Sequence, residues 1–341
     1  MTRIGVGLVG FGLSGRVFHA PFVEATEGLA LRAVVSSDPA KVHDRLQGMS
    51  VVPSVEALLA EPGIELVIVA SPDDSHADHA VAALDAGKHV LVEKPVATTL
   101  GDARRMRDAA QRTGRMLTVF QNRRWDADFL TLNRMIGEDL LGEIVHFESH
   151  FDRWKPDVPV RWKDARDGGS WFDLGPHLVD QAGGLFGMPG AVTLDVASLR
   201  EGSPAPDWFH AILRYPNRRV VLHSSKLCAD DGLRFAVHGT GGSWIKHGLD
   251  TQEPAIIAGA QPGDADLGAD PIPGIYTPAD DIHSHGEVPN ERGDYRLFWN
   301  ALASAIRGDG PNPVPIEEAL DTMKVLEAGM RSAKSGETVA L

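Results

Sequence analysis

The feature that most constrains this fold is an apolar run that breaks into three glycines: Val6-Gly-Leu-Val-Gly10-Phe-Gly12-Leu-Ser-Gly15-Arg-Val-Phe-His19. Ile4–Val9 is continuously apolar and small, the pattern of a strand buried on both faces. A helix is predicted from about Ser14 to Ala25, so the glycines form a sharp strand-to-helix turn. In a Gly-x-Gly-x-x-Gly turn the first glycine permits the bend, the second lets a pyrophosphate approach the backbone, and the third packs helix against strand. Unpaired N–H groups and the positive end of the helix dipole favour an anion there. Gly10, Gly12, Leu13, Ser14 and Gly15 are therefore read as a dinucleotide cradle. The plainer reading, a tight turn with no ligand, needs the glycines alone.

The next hundred residues repeat the alternation. Strands are predicted at Leu31–Ser37, Leu66–Ala70, His89–Val92 and Met116–Phe120, separated by helices that begin at Asp38-Pro39, Ser54, Ser75 and Thr99. Strand and helix in strict turn give a parallel sheet covered on both faces. Past Phe120 the pattern changes. Helices are predicted at Phe129–Ile136 and Asp173–Phe186. Between and after them come Glu143–Asp152, Ala191–Leu199, Trp208–Tyr215, Arg219–Lys226 and Leu233–His238, strand-like runs at hairpin spacing. A loop is expected over Arg153–Gly169. Gln252–Asn290, rich in Gly, Pro, Asp and His, reads as a long surface excursion, and helices at Asp294–Ile306 and Ile316–Ala333 close the chain. The expected fold is α/β in two domains: a dinucleotide-binding domain over 1–122, and a substrate-binding and oligomerisation domain over 123–341 with an open, mainly antiparallel sheet. The C-terminal helix can pack back on the first domain.

Composition narrows the partners. A formal net charge of −14 argues against nucleic acid, whose phosphates need a basic surface. No run approaches 18 apolar residues, so no membrane span is expected. The single cysteine, Cys228, and a start that leads directly into a strand are consistent with a cytoplasmic protein.

Four groups of residues carry candidate chemistry. The tip of the second strand reads Val35-Ser36-Ser37-Asp38. An acidic residue at such a tip holds the ribose 2′-hydroxyl of NAD. If Ser36 fills that position, repulsion of a 2′-phosphate is removed, Ser36 and Ser37 can bind it, and NADP is favoured. If Asp38 reaches the hydroxyl, NAD is favoured, although Asp38 is also placed to cap the helix that starts at Pro39. Val90-Leu-Val-Glu93-Lys94-Pro95 puts Lys94 just past a buried strand, at the sheet edge where ligands bind in such folds. Asp173 and His177 are four apart and share a helix face, with Pro176 fixing His177 near the helix start. There the dipole disfavours imidazolium, and a neutral imidazole can take a proton from an alcohol. Asp173 as a cap and His177 as a packed ring is the plain alternative. Asp173, His177 and Asp180 would also offer three ligands to a metal, but no second histidine or cysteine pair accompanies them and no metal is expected. Finally, Gln121-Asn122-Arg123-Arg-Trp-Asp126 and Asp152-Arg153-Trp154 combine planar donors with aromatic faces, which suits either a polyhydroxylated ligand or a hinge. His76 is read as structural, beside the cofactor loop.

Taken together, the glycine turn with His19, Ser71-Pro72…His76, Glu93-Lys94-Pro95 and Asp173-x-Gly-x-His177-x-x-Asp180 resemble, in this order, the Gfo/Idh/MocA oxidoreductases. Gly-Phe-Gly-Leu-Ser-Gly-Arg-Val-Phe-His-Ala-Pro, Gln-Asn-Arg-Arg-Trp-Asp and Phe209-His-x-x-Leu213 look like its bacterial scyllo-inositol dehydrogenase branch. The resemblance covers nearly the whole chain. It implies a Rossmann domain, a second α/β domain whose open sheet face makes a homodimer or homotetramer, and a Lys94–Pro95 bond that is often cis. It implies Lys94, Asp173 and His177 as the catalytic group. The cofactor, NADP or NAD, would also touch Ser71, Pro72, His76, Glu93 and Lys94, and the substrate would meet Asn122, Arg123, Arg153 and Trp154. One departure bears on the cofactor: NADP-using inositol enzymes of this branch carry arginine after the two serines, where this chain has Asp38.

Overall fold

The computed structural model describes residues 2–158, 168–230 and 232–341, which fall into two compact units. The first comprises Met1–Asn122 with Gln252–Leu267 and Asp294–Leu320; the second comprises Arg123–Thr251, Gly268–Gly293 and Asp321–Leu341. The two returning segments of the first unit were expected in the second domain. Both belong to the first unit, and in the later one 312–315 finish its sheet: Val119 N donates to Val314 O at 3.2 Å, Thr118 Oγ1 donates to the same carbonyl at 3.0 Å, and Asn312 Nδ2 donates to Leu117 O at 2.9 Å. An otherwise bare strand edge is thereby covered.

In the first unit, β1 (Ile4–Val9), α1 (Ala20–Ala25), β2 (Leu29–Val35), α2 (Pro39–His43), β3 (Ser50–Val52), α3 (Val55–Ala60), β4 (Leu66–Val69), α4 (His76–Asp85), β5 (His89–Val92), α5 (Leu100–Thr113) and β6 (Leu117–Val119) alternate. The six strands form one parallel sheet in the order β3-β2-β1-β4-β5-β6. β1 and β4 are buried at every position, as continuous apolar runs in a doubly covered sheet must be. Val35, Val9, Val69, Val92 and Val119 lie in register across five strands. Whatever follows each of them therefore emerges along one edge of the sheet.

The helix after the glycine turn differs from expectation in one respect: it opens with a π turn, Gly15–His19, before α1. Pro21 has no N–H to give Val17 and its ring crowds that carbonyl; the wider turn takes up the mismatch.

The second unit holds α6 (Ala127–Gly137), β7 (Ile144–His150), α7 (Ser170–Asp173), α8 (Gly175–Phe186), β8 (Ala191–Ala197), β9 (Trp208–Arg214), β10 (Arg219–Ser225), β11 (Leu233–Gly239) and β12 (Gly242–His247). After α9 (Gln252–Ile257), which belongs to the first unit, come β13 (Gly274–Pro278) and β14 (Gly286–Val288); α10 (Arg296–Arg307), again in the first unit, precedes α11 (Ile316–Ser335) and β15 (Val339–Ala340). The excursion expected over Gln252–Asn290 is thus partly regular: β13 and β14 extend the sheet beyond β12. The nine strands run β14-β13-β12-β11-β7-β10-β9-β8-β15, antiparallel except for the β7–β10 pair. Alternate residues of β7 and β9 are buried, among them Phe147, Phe209 and Leu213. That face meets the helices: Phe147 packs on Phe186 of α8 at 5.4 Å, and Phe209 packs on Trp171 of α7 at 5.1 Å. Trp171 in turn donates its indole N–H to Leu326 O in α11, 3.1 Å away.

Candidate active site

In the first unit, the strand tips bring most of the expected cofactor residues together. Gly10 takes φ +97°, a value open to glycine. A Cβ on Gly10 would meet Ala70 O at 2.6 Å, and one on Gly15 would meet Gly10 O at 2.2 Å. A Cβ on Gly12 would meet nothing within 4 Å. Gly10 and Gly15 are therefore required by the protein's own packing, whereas bare Gly12 borders open space. That is the fit a dinucleotide pyrophosphate needs at this turn.

A second connection ties the turn to Lys94. Ser14 Oγ donates to Glu93 Oε1, and His19 Nε2 lies 2.8 Å from the same oxygen. Glu93 Oε2 accepts from the backbone N–H of Lys94 at 3.0 Å. Burial pushes the Glu93 carboxyl up, but hydrogen bonds from His19 and Ser14 outweigh it and hold it at about 2. His19 is fully buried, tilted against Phe120 at 4.7 Å and edge-on to Trp299 at 5.6 Å. His76 is structural, as read from sequence: its Nδ1 faces Pro95 O at 3.0 Å and its Nε2 faces Ser71 O at 2.9 Å. The imidazole thereby clamps the β4 and β5 tips together, and the Lys94–Pro95 bond is cis. At the β2 tip, Asp38 Oδ1 accepts from Lys41 N at 3.1 Å and caps α2, while Ser36 Oγ accepts from Asp38 N at 3.1 Å. Ser36, Ser37 and Asp38 are all accessible at this tip.

In the second unit the expected helix Asp173–Phe186 is broken. α7 ends at Asp173, Leu174 adopts φ −107°, and α8 starts at Gly175. Pro176 in the first turn of α8 cannot supply the N–H that a continuous helix would require, so the chain restarts there. Asp173 is exposed at the end of α7, and His177 is buried in the first turn of α8. Asp180 is held by a bidentate bond from Arg124, with both contacts at 2.7 Å. This engagement weighs against the alternative in which Asp180 serves as a metal ligand.

Arg153 and Lys226 both feel the charge of Asp173. Burial and the like charge of Arg123 push the Arg153 guanidinium down to about 10, with Asp173 opposing. Burial pushes the Lys226 ammonium down to about 8, also opposed by Asp173. Sequence reasoning missed Lys226. Its position immediately after β10 gave no motif, and it reaches this cluster because Lys155 N donates to Lys226 O at 2.8 Å. Two of the expected substrate residues have other partners: Arg123 is buried, paired with Asp126 at 3.3 Å and stacked over Phe151 at 5.1 Å. Arg153 lies over the same ring at 4.7 Å, Trp154 is exposed, and Asn122 is buried. Part of the loop expected over Arg153–Gly169 lies outside the described residues.

Comparison with known proteins agrees with this architecture. Residues 4–121 match the family model described as "Oxidoreductase family, NAD-binding Rossmann fold", and residues 133–341 match "Oxidoreductase family, C-terminal alpha/beta domain". The chain belongs to the Gfo/Idh/MocA oxidoreductase family. It is a NAD(P)-dependent dehydrogenase of that family. It is 44% identical to the uncharacterized oxidoreductase YdgJ of Escherichia coli, over 99% of both chains. It is 36% identical to the scyllo-inositol 2-dehydrogenase (NADP(+)) IolW of Bacillus subtilis, over 100% of this chain and 97% of that one. The solved structure of the YPO2259 oxidoreductase of Yersinia pestis superposes with a TM-score of 0.96 at 43% identity, covering 99% of this chain and 97% of that one. No helix among the described residues is long and apolar enough to cross a membrane.

Proposed function

We propose that this dehydrogenase oxidises, reversibly, a secondary alcohol of a cyclic polyol or sugar, with NADP as the preferred cofactor. The observation that carries the reading is the chain of bonds from the glycine turn through Ser14 and Glu93 to Lys94, which fixes a cofactor cradle and an ammonium-bearing residue on one sheet edge. The nicotinamide, when bound, supplies the hydride chemistry. His177, in the first turn of α8, accepts the hydroxyl proton. Lys94 donates a hydrogen bond to the same substrate oxygen and stabilises the charge that develops on it. Asp173 orients the site and accepts from a neighbouring hydroxyl, with Asn122, Arg123, Arg153 and Trp154 as the remaining substrate contacts. Support for the polyol class comes from the full-length similarity to IolW. Support for NADP comes from the serine pair at the β2 tip and from Asp38, whose carboxylate already caps α2. The protein acts in this reading as a cytoplasmic homodimer or homotetramer assembled through the open face of its second sheet, without nucleic acid or membrane partners.

The test is a screen of polyols, aldoses and sugar acids with NADP and NAD, following the absorbance of the reduced nicotinamide. Lys94→Ala and His177→Ala are expected to lower kcat by roughly 10²- to 10⁴-fold with little loss of cofactor affinity. Full turnover in both variants would remove the assignment. Oxidation of aldoses alone would replace the polyol class by a sugar substrate.

A further inference from the structure

The face of the second sheet turned away from α8 carries a cluster that the dehydrogenase reading leaves unused. His150 on β7 and His223 on β10 are direct partners in the parallel β7–β10 ladder, so both project to that same face. His223 is likewise paired with His210 on the antiparallel neighbour β9. Asp152 follows His150 by two residues. Its Oδ2 lies 3.2 Å from His150 Nδ1, and its Oδ1 lies 3.6 Å from His223 Nε2. All three side chains are largely withdrawn from solvent, at 15%, 7% and 15% exposure for His150, Asp152 and His223. The ligand atoms lie within 4.8 Å of one another.

From this geometry we infer that His150, Asp152 and His223 form a divalent transition-metal site, selective for Zn²⁺-like ions and separate from the dehydrogenase centre. Two imidazoles and a carboxylate are a borderline donor set suited to zinc and its neighbours rather than to magnesium or calcium. In a tetrahedral zinc site, bonds of about 2.0–2.1 Å put adjacent donor atoms about 3.3–3.4 Å apart. The contacts to the two Asp152 oxygens, 3.2 Å from His150 to Oδ2 and 3.6 Å from His223 to Oδ1, lie near that spacing, so small side-chain rotations would close the set around one ion. The surrounding bonds have the form of an outer shell. His150 Nε2 lies 3.1 Å from Glu148 Oε2, an arrangement in which that N–H is donated to a carboxylate and the Nδ1 lone pair faces Asp152. With that tautomer, the lone pair and the carboxylate oxygen at 3.2 Å repel unless a proton or a metal ion lies between them. Asp152 is itself fixed, since its Oδ1 accepts from Ser225 N at 2.7 Å. Trp208 meets the His223 ring edge-on at 5.4 Å and holds its plane. Three protein ligands leave a fourth position open to water or a small anion.

The experiment titrates Zn²⁺ into the tag-free, chelator-treated full chain by calorimetry, with Co²⁺ as an absorbance probe of four-coordinate geometry. One tight site per chain and intense Co²⁺ visible bands are expected. Glu148→Ala is expected to weaken Zn²⁺ by roughly 10- to 100-fold, as loss of an outer-shell carboxylate does. His150→Gln and His223→Gln should weaken it further, with thermal melts confirming that each variant is folded. Paired substitution of the exposed loop histidines, His283→Gln with His285→Gln, should leave it unchanged. Zn²⁺ affinity that is unaltered in His150→Gln and His223→Gln, or lost equally in the loop variant, overturns the proposal. Absence of a tight site in the wild-type chain overturns it as well, and assigns the gap between His150 and Asp152 to a proton.

Discussion

Gly12→Ala separates a glycine kept for a ligand from one kept for the fold, and Gly15→Ala is its control. A methyl at residue 12 has no protein atom within 4 Å, and Gly12 does not require positive φ. The substitution should therefore leave Tm unchanged or slightly raised, since restricting the unfolded chain is worth about 0.4–1 kcal/mol. A methyl at residue 15 would sit 2.2 Å from Gly10 O, where ordinary contacts begin at 3.4 Å. Helix and turn must then separate by about 1 Å, an overpacking error of roughly 1–3 kcal/mol. The effects on cofactor binding run differently. If the pyrophosphate rests on the bare backbone at Gly12, the methyl of Gly12→Ala holds it off, and Kd should rise at least about tenfold, equivalent to about 1.4 kcal/mol. Gly15→Ala should lose both stability and cofactor affinity. Fluorescence titration with reduced nicotinamide and thermal denaturation read the two quantities on the same samples. Unchanged cofactor affinity in Gly12→Ala would refute the cradle, and a wild-type melt for Gly15→Ala would refute the packing argument.

Three further predictions concern the frame that holds the site. His76→Ala removes the buried imidazole that sits between the Pro95 and Ser71 carbonyls and clamps the β4 and β5 tips; urea denaturation should show a loss of about 2–4 kcal/mol. Glu93 has a folded pKa depressed to about 2, so its contribution is fully present above its unfolded value of about 4.3 and is lost as pH falls towards 2. The Tm gap between wild type and Glu93→Gln should accordingly be widest near neutrality and close across that acid window; a gap independent of pH would show that the carboxylate charge contributes nothing. In the second unit, buried Arg234 bonds Asp128 at 2.7 Å, Ser149 at 2.7 Å and Gln181 at 2.9 Å. Arg234→Met strands the Asp128 charge and should cost roughly 3–5 kcal/mol in chemical denaturation, most of it recovered in the double variant with Asp128→Leu; additive losses would contradict the pairing.

The local features were legible in the sequence because their causes are local. Three glycines after an apolar strand specify a turn whatever surrounds them, and Asp38 before Pro39 specifies a helix start. Strict alternation of strands and helices specifies a parallel sheet whose tips share an edge, which is why Ser36, Gly10, Ser71 and Lys94 could be placed on it from their positions alone. The second unit was legible only as a class. Its alternating runs announced an antiparallel sheet, but pairing across it joins residues far apart in the chain. The β7–β10 ladder, which sets His150 beside His223, and the strand pairing that brings Lys226 to Arg153 leave no trace in residue spacing. The same holds for 312–315, whose capture by the edge of β6 is decided by unpaired backbone groups seeking partners, and for β13 and β14, which hide in a Gly- and Pro-rich stretch. The break at Leu174 lies between these extremes: Pro176 announced a helix start, and the structure shows that it also ends the helix before it. Sequence alone thus determined the glycine turn, the parallel sheet and the identity of the chemical groups. Tertiary structure decided which of those groups meet, because strand register and edge closure are satisfied over the whole molecule.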